Sequence, residues 1–329
     1  GIRNDAAVTF DQGFDGTYGG VMTGTGTLIK SGTGTLVLNG ANTYAGGTVV
    51  QGGGLRAGAA NVFGSGGMAV AAGAALDLHG FDQAVGAISG SGSIALDTAT
   101  LTTSHGTTST FAGVISGAGS LVKAGTGTLT LTGANSYTGG TVVSGGMLAG
   151  TSTSLQGAIL NDAAVTFDQG FDGTYGSVMT GSGTLIKTGT GTLTLSGANT
   201  YTGGTVVSGG MLAGTSTSLQ GGIRNDAAVT FDQAFAGTYG GVMTGSGSLI
   251  KSGTGTLTLS GANTYTGGTV VSGGMLAGTT TSLQGGIRND AAVTFDQGFD
   301  GTYDNVMTGS GTLIKSGTGT LTLSGANTY

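Results

Sequence analysis

Near-identical segments recur along this chain, and their repetition limits the possible folds more than any other feature. The phrase NDAAVTFDQ begins at Asn4, Asn161, Asn225 and Asn289, and the last three of these lie 64 positions apart. Residues 161–224 and 225–288 differ at 6 of 64 positions. Repetition of this kind predicts a stack of equivalent structural units in which each unit contacts its neighbours.

Each repeat consists of short apolar or β-branched runs separated by glycine. TLTL and AVTF alternate with period two, as half-buried strands do, and the glycine-rich links GTG, TGG and SGG are typical of turns. No segment has a sustained helical period. The sequence therefore predicts an all-β fold, a right-handed parallel β-helix (β-solenoid) with about three rungs of roughly 21 residues per repeat. Leu, Ile, Val, Met and Phe are expected to point inward, and Thr, Ser and Lys outward.

The repeats define the expected organisation of the chain. We predict one continuous solenoid over residues 1–329, cut from a longer protein, in six parts. These are a repeat at 1–55, divergent rungs at 56–117, repeats at 118–160, 161–224 and 225–288, and a partial repeat at 289–329.

Composition excludes several classes of partner. Glycine supplies 74 of 329 residues, but charged residues make up 7 % and the mean hydropathy is +0.24, unlike a disordered chain. The nine Lys and Arg are scattered and the net charge is −6, which disfavours nucleic acids and anionic membranes. The chain has no Cys, so thiolate metal sites and disulfides are excluded. No cofactor is expected.

The phrase SGTLIKTGTGTLTLSGANTYTGGTVVSGGML at 182–212 resembles the passenger-associated transport repeat of bacterial autotransporters. Further versions lie at 26–55, 119–148, 246–276 and 310–329. The resemblance implies a β-helical passenger of type V secretion. Such a passenger is secreted or is held at the outer membrane by a separate membrane-embedded domain. It often serves as an adhesin or biofilm factor.

The preferred functional hypothesis is a non-enzymatic extracellular rod that mediates adhesion, aggregation or biofilm formation through many weak contacts. Glycans, host or neighbouring cell surfaces, and other copies of the chain are the expected partners. The alternative is a passive stalk that presents another domain. An ice-binding face of TxT pairs and a polysaccharide-cleaving enzyme are further alternatives. The chain has no Glu, and its recurring Asp residues lie 64 positions apart in the tandem copies.

Three groups of residues are candidates for a site. Two tyrosine columns could stack on a ligand or could instead cover the rung edges: Tyr44, Tyr137, Tyr201 and Tyr265, and Tyr18, Tyr175, Tyr239 and Tyr303. A lysine column (Lys30, Lys123, Lys187, Lys251, Lys315) is expected to discourage lateral sheet pairing. A unique site, if present, would use the divergent segment's histidines and aspartates: His79, His105, Asp77, Asp82 and Asp97. No catalytic or metal-binding residue is assigned.

Overall fold

The structure, a computed structural model, describes residues 1–329. All of its regular elements are β-strands, as the absence of a helical period predicts. The chain divides into two compact units, Gly1–Thr166 and Phe167–Tyr329. Continuity of one solenoid over residues 1–329 stays a prediction.

The first unit contains β1 to β21 and most of β22. Their bounds are β1 Ile2–Arg3, β2 Ala7–Asp11, β3 Gly16–Tyr18, β4 Met22–Thr23, β5 Thr27–Ser31, β6 Thr35–Leu38, β7 Thr48–Val50, β8 Gly54–Ala57, β9 Met68–Val70, β10 Ala75–Asp77, β11 Gln83–Val85, β12 Ile88–Gly90, β13 Ser93–Ala95, β14 Thr100–Ser104, β15 Ser109–Phe111, β16 Val114–Ser116, β17 Ser120–Ala124, β18 Thr128–Leu131, β19 Thr141–Val143, β20 Met147–Gly150, β21 Ile159–Asn161 and β22 Ala164–Asp168.

The second unit contains β23 to β42. Their bounds are β23 Gly173–Tyr175, β24 Met179–Thr180, β25 Thr184–Thr188, β26 Thr192–Leu195, β27 Thr205–Val207, β28 Met211–Gly214, β29 Ile223–Asn225, β30 Ala228–Asp232, β31 Gly237–Tyr239, β32 Met243–Thr244, β33 Ser248–Ser252, β34 Thr256–Leu259, β35 Thr269–Val271, β36 Met275–Gly278, β37 Ile287–Asn289, β38 Ala292–Asp296, β39 Gly301–Tyr303, β40 Met307–Thr308, β41 Thr312–Ser316 and β42 Leu321–Leu323.

Parallel stacks of short strands build each unit, which confirms the predicted β-solenoid. The three main stacks of the first unit are β2-β5-β7-β9-β12-β15-β18-β20, β3-β6-β8-β10-β13-β16 and β11-β14-β17-β19-β21. The second unit has four stacks, which we name sheet I (β25-β27-β29-β32), sheet II (β23-β26-β28-β30-β33-β35-β37-β40), sheet III (β31-β34-β36-β38-β41) and sheet IV (β39-β42).

Inward side chains form continuous apolar ladders because the strands stack in register. In sheet II, Leu193 pairs with Leu212, Leu212 with Val229, and Val229 with Leu249. All four are fully buried. Alternation along each strand places the intervening residues on the outer surface, so each short strand contributes one or two core side chains.

Glycine at the corners allows consecutive turns to lie close together. A Cβ atom added at Gly191 would lie 2.3 Å from the carbonyl oxygen of Phe171 in the turn below. Gly189, two residues earlier, has a φ of +73°, a conformation that side-chain-bearing residues rarely adopt. The GTG phrase of the repeat is therefore a corner at which two turns meet through their backbones.

The repeat does not span a whole number of turns. Thr205, Ile223 and Met243 lie in register above Leu185 in the three following turns of sheet I. Leu249, the counterpart of Leu185 in the next repeat, follows Met243 closely in the sequence but lies in sheet II. One repeat thus advances by about three and one-third turns.

The consequence is that equivalent strands in successive repeats occupy different sides of the second unit. The strand of the TLIK phrase is β25 in sheet I, β33 in sheet II and β41 in sheet III. The strand of the GTY phrase is β23 in sheet II, β31 in sheet III and β39 in sheet IV. Sheet IV lies on the same side of the solenoid as sheet I. Between them, the backbone N–H groups of Thr264 and Thr266 donate to the carbonyl oxygens of Met243 and Gly245 and so extend the stack of sheet I.

Candidate contact surface

The asparagine of the GANxY phrase lies inside the solenoid wall, where it joins three consecutive turns. Asn199 accepts the N–H of Met179 from the turn below at 2.8 Å. Its Nδ2 donates to the carbonyl oxygen of Ser218 in the turn above, also at 2.8 Å. Asn42, Asn135 and Asn263 make the same two contacts in their own copies. The asparagine column therefore stabilises the stack.

The lysine column is also internal, so its predicted outward orientation is wrong. Lys30, Lys123, Lys187 and Lys251 are fully buried. The Lys187 ammonium donates to the carbonyl oxygens of Thr188, Gly189 and Gly209, at 2.6, 3.1 and 3.1 Å. Burial lowers the pKa of this lysine, and the nearby Asp168 carboxylate opposes that effect. The buried ammonium ties one glycine corner to the next, and it cannot protect a sheet edge.

The first tyrosine column points into the core beside the asparagines. Tyr44, Tyr137, Tyr201 and Tyr265 are at most 1 % exposed. Each hydroxyl pairs with the hydroxyl of the threonine four residues later in the chain, as Tyr201 does with Thr205 at 2.7 Å. A ligand on the outer surface cannot reach these rings, and their position agrees with the packing alternative.

The second tyrosine column is buried in three of its four copies. Tyr175, Tyr239 and Tyr303 are at most 3 % exposed, while Tyr18 is half-buried. Each ring packs against the phenylalanine of the preceding AVTF strand, as Tyr239 does against Phe231 with centroids 5.1 Å apart. The hydroxyl of Tyr239 donates to the carbonyl of Gly221 at 2.6 Å. Tyr18 retains surface available for a contact.

These buried phenols predict a loss of stability at alkaline pH. Burial raises the pKa of Tyr44 from 10.0 to about 12. Between those values the unfolded chain loses the phenolic proton that the folded chain keeps. Stability should fall with rising pH in that window, by roughly 3 kcal/mol for Tyr44 alone. The buried lysines act in the opposite direction, because their lowered pKa makes stability rise with pH up to about 10.5.

The test is to follow tyrosinate absorbance and circular dichroism together during an alkaline titration. We expect Tyr44→Phe to reduce the loss of stability above pH 10, and we expect Tyr329→Phe, at an exposed position, to leave it unchanged. Ionisation of all tyrosines at the ordinary pKa in a chain that remains folded would contradict the burial described above.

Large apolar side chains are exposed at two recurring positions that the sequence did not identify. Phe171, Phe235 and Phe299 are about half exposed, and Phe14 is 74 % exposed. The valines before the MTG phrase are also exposed: Val21, Val178, Val242 and Val306. The sequence does contain a signal for the exposed phenylalanines. Each one follows a glycine or alanine in a corner phrase, outside any strand that would direct its side chain inward.

Exposed charges of opposite sign form local pairs on the second unit. Arg224 Nε lies 2.7 Å from the Asp226 carboxylate, and Arg288 Nε lies 2.8 Å from that of Asp290. Asp172 accepts the N–H of Thr192 at 2.7 Å, a bond that lowers the pKa of its carboxyl. The recurring aspartates thus have local partners along the surface.

The divergent segment brings together three of its candidate residues. The ligand atoms of Asp77, His79 and Asp97 lie within 4.8 Å of one another. Asp77 already accepts the Nε–H of Arg56 at 2.7 Å and the backbone N–H of His79 at 2.8 Å. Asp82 and His105 bind elsewhere, to Thr100 and to Thr107 and Ser109. The Asp97 carboxylate lies 3.9 Å from Nδ1 of His79, so each member of the cluster has a local partner.

Comparison with known proteins agrees with the fold. The family model described as the passenger-associated-transport-repeat matches residues 28–57, 121–149, 185–213, 249–277 and 313–329. The protein "Adhesin BmaC autotransporter" of Brucella suis biovar 1 (strain 1330) is 36 % identical over 244 residues, which cover 70 % of this chain. The match spans 7 % of that relative's length. No solved structure matches the chain significantly.

The first four matched segments contain the asparagine column, the buried lysines and the first tyrosine column. No helix in the structure is sufficiently long and apolar to cross a membrane. The expected resemblance is confirmed, and with it an extracellular or cell-surface location. This chain is an autotransporter passenger segment built from passenger-associated transport repeats.

Proposed function

We propose that this segment is a non-enzymatic adhesive rod that binds through repeated weak contacts on its outer surface. The observation that supports this most is that each repeat uses different residues for its interior and for its outer surface. The polar and aromatic residues of the recurring motif are used inside the wall, where they stabilise stacking. The exterior repeats other groups, which include the exposed phenylalanines, the exposed valines and the Arg–Asp pairs.

Similarity to a protein named as an adhesin supports the same function. A ligand-binding cleft is not needed, because many identical contacts raise overall binding through effective concentration. Under this proposal the partners of the chain are glycans, cell surfaces and other copies of the chain. Nothing in the arrangement of the aspartates favours polysaccharide cleavage.

An ice-binding face receives no support from the outer surface. The outward column of sheet II runs Thr194, Ala213, Thr230, Ile250 and Val270, so threonine does not recur on successive turns. The rotation of each repeat by a third of a turn also moves equivalent TxT phrases to different sides.

The test is retention of the purified chain on cells, immobilised glycans and a surface coated with the chain itself. Removal of residues 225–288 should weaken retention gradually, because one of several equivalent contact sets is lost. Abrupt and complete loss would contradict multivalent binding. No retention on any of these surfaces would instead favour the passive stalk.

A further inference from the structure

The exposed phenylalanines form projecting apolar groups flanked by acidic residues. Phe171 lies between Asp168 and Asp172, which are both exposed. The carboxylates are held in place, since Asp168 accepts the Thr188 hydroxyl at 2.9 Å and Asp172 accepts the Thr192 N–H. We name this element the phenylalanine corner. Its counterparts in the second unit are 232–236, where Ala236 replaces the second aspartate, and 296–300.

A complementary recess lies on the same unit. A shallow groove of about 350 Å³ is lined by Val270, Ile287, Val306 and Arg288, together with neighbouring glycines and threonines. We name it the valine groove. Arg288 uses its Nε in the pair with Asp290 and has further guanidinium donors. The same register repeats one copy earlier with Val206, Arg224 and Thr244, beside Ile223 and Val242.

We propose that the phenylalanine corner of one copy docks into the valine groove of a second copy of this chain. The aromatic ring would cover the exposed valine, and the arginine would face the carboxylates beside the ring. Contact between two phenylalanine corners is disfavoured, because it would bring like charges together. The inference rests on the proposed adhesive function, and it names the partner and the residues of one such contact.

Charge and apolar complementarity favour a second copy over an unrelated partner. The apolar ring with adjacent carboxylates matches the apolar groove with an adjacent guanidinium, and both belong to this chain. The chain is 7 % charged, so repulsion between copies is small.

The geometry of the repeat allows association through this contact to continue beyond two molecules. Phe171, Phe235 and Phe299 precede strands of sheets II, III and IV, and therefore project from three different sides. A contact between two different surface elements leaves each molecule with unused corners and grooves. Association should therefore continue beyond the dimer.

Sedimentation velocity of the full chain over a range of concentrations tests the proposal. A corner-deficient variant replaces the four exposed phenylalanines by serine: Phe14, Phe171, Phe235 and Phe299. A groove-deficient variant replaces the four exposed valines by glutamate: Val21, Val178, Val242 and Val306. All eight positions are exposed, and circular dichroism of each variant verifies that the fold is kept.

We expect concentration-dependent species larger than a dimer for the unchanged chain and monomers for each variant alone. Mixing the two variants should restore association, because one supplies grooves and the other supplies corners. Failure of the mixture to associate, or assemblies of unchanged size in either variant, would overturn the docking proposal. A monomeric unchanged chain would overturn it as well. If that monomer were still retained on cells or glycans, the proposed adhesive function would stand. If it were not retained, both the docking proposal and the adhesive function would be refuted.

Discussion

Replacement of Lys187 by methionine should lower the free energy of unfolding by about 3–5 kcal/mol, because three partly buried carbonyl oxygens lose a charged donor. Those carbonyls belong to Thr188, Gly189 and Gly209, so the lost bonds include one between consecutive turns. Methionine fills a similar volume but cannot donate a hydrogen bond. Chemical denaturation followed by circular dichroism measures the change.

The chain provides a matched control at the last lysine of the column. Lys315 makes the same two contacts within its own corner, to Ser316 and Gly317, but is exposed to solvent. Lys315→Met should therefore change stability far less than Lys187→Met. Equal effects of the two substitutions would show that burial and the bond to the next turn contribute little.

Replacement of Asn199 by alanine should have a similarly large effect. The substitution leaves the Met179 N–H and the Ser218 carbonyl without their partners inside the wall. An unsatisfied buried group costs roughly 1–3 kcal/mol, so a loss of about 2–6 kcal/mol is expected for the two together. Hydrogen exchange of the Met179 amide should also become faster, which locates the effect at the predicted contact.

Asp172→Ala is the control for the asparagine substitution. Asp172 bonds to one backbone N–H, but it is exposed, and alanine already occupies the equivalent position 236. We expect little change in the denaturation midpoint. If Asn199→Ala were tolerated as well as Asp172→Ala, the asparagine column would not be a structural determinant of stacking.

The fold was predictable because the strand and corner signals are local and recur in every copy. Alternation in TLTL identifies the strands, and the glycine phrases identify the corners. The stacking follows from repetition, since a short strand can bury its apolar side chains only against equivalent strands above and below. Residues with unambiguous polarity, such as Leu193 and Leu212, were accordingly placed correctly.

The lysine column was misplaced because residue type was given priority over position in the strand. Leu185 and Lys187 alternate with Ile186 in β25 and therefore point to the same face, which is the buried one. A lysine on the core face is stable here because the glycine corners expose carbonyl oxygens toward its ammonium. That arrangement depends on the path of the neighbouring turn, which the sequence pattern does not contain.

The contact surface was missed for a related reason. The tyrosines were candidates because they are repeated aromatic residues, but their hydroxyls form hydrogen bonds with the buried Thr205 and its equivalents. The phenylalanines of the corners have no such partners and remain exposed. Their distribution over three sides depends on the turn lengths, which are not constant. The turn from Gly214 to its register partner Phe231 is shorter than the turn from Gly90 to its partner Phe111.

The rotation of each repeat by a third of a turn can be measured by distances between spin labels. The chain has no native cysteine, so labels can be attached at chosen pairs of introduced cysteines. Thr174 and Thr238 occupy equivalent positions of successive repeats, in sheets II and III. Thr174 and Ile250 are farther apart in the sequence, but both lie in the outward column of sheet II, four turns from each other. All three positions face outward.

Pulsed electron paramagnetic resonance on the pairs Thr174→Cys with Thr238→Cys and Thr174→Cys with Ile250→Cys gives the decisive comparison. The pair at Thr174 and Ile250 should be the closer one, separated by roughly 19 Å along the stack. The pair at Thr174 and Thr238 should be farther apart, because its labels project from different sides. A shorter distance for the pair at equivalent positions would mean that the repeats stack in whole turns and present their corners on one side, contrary to the structure.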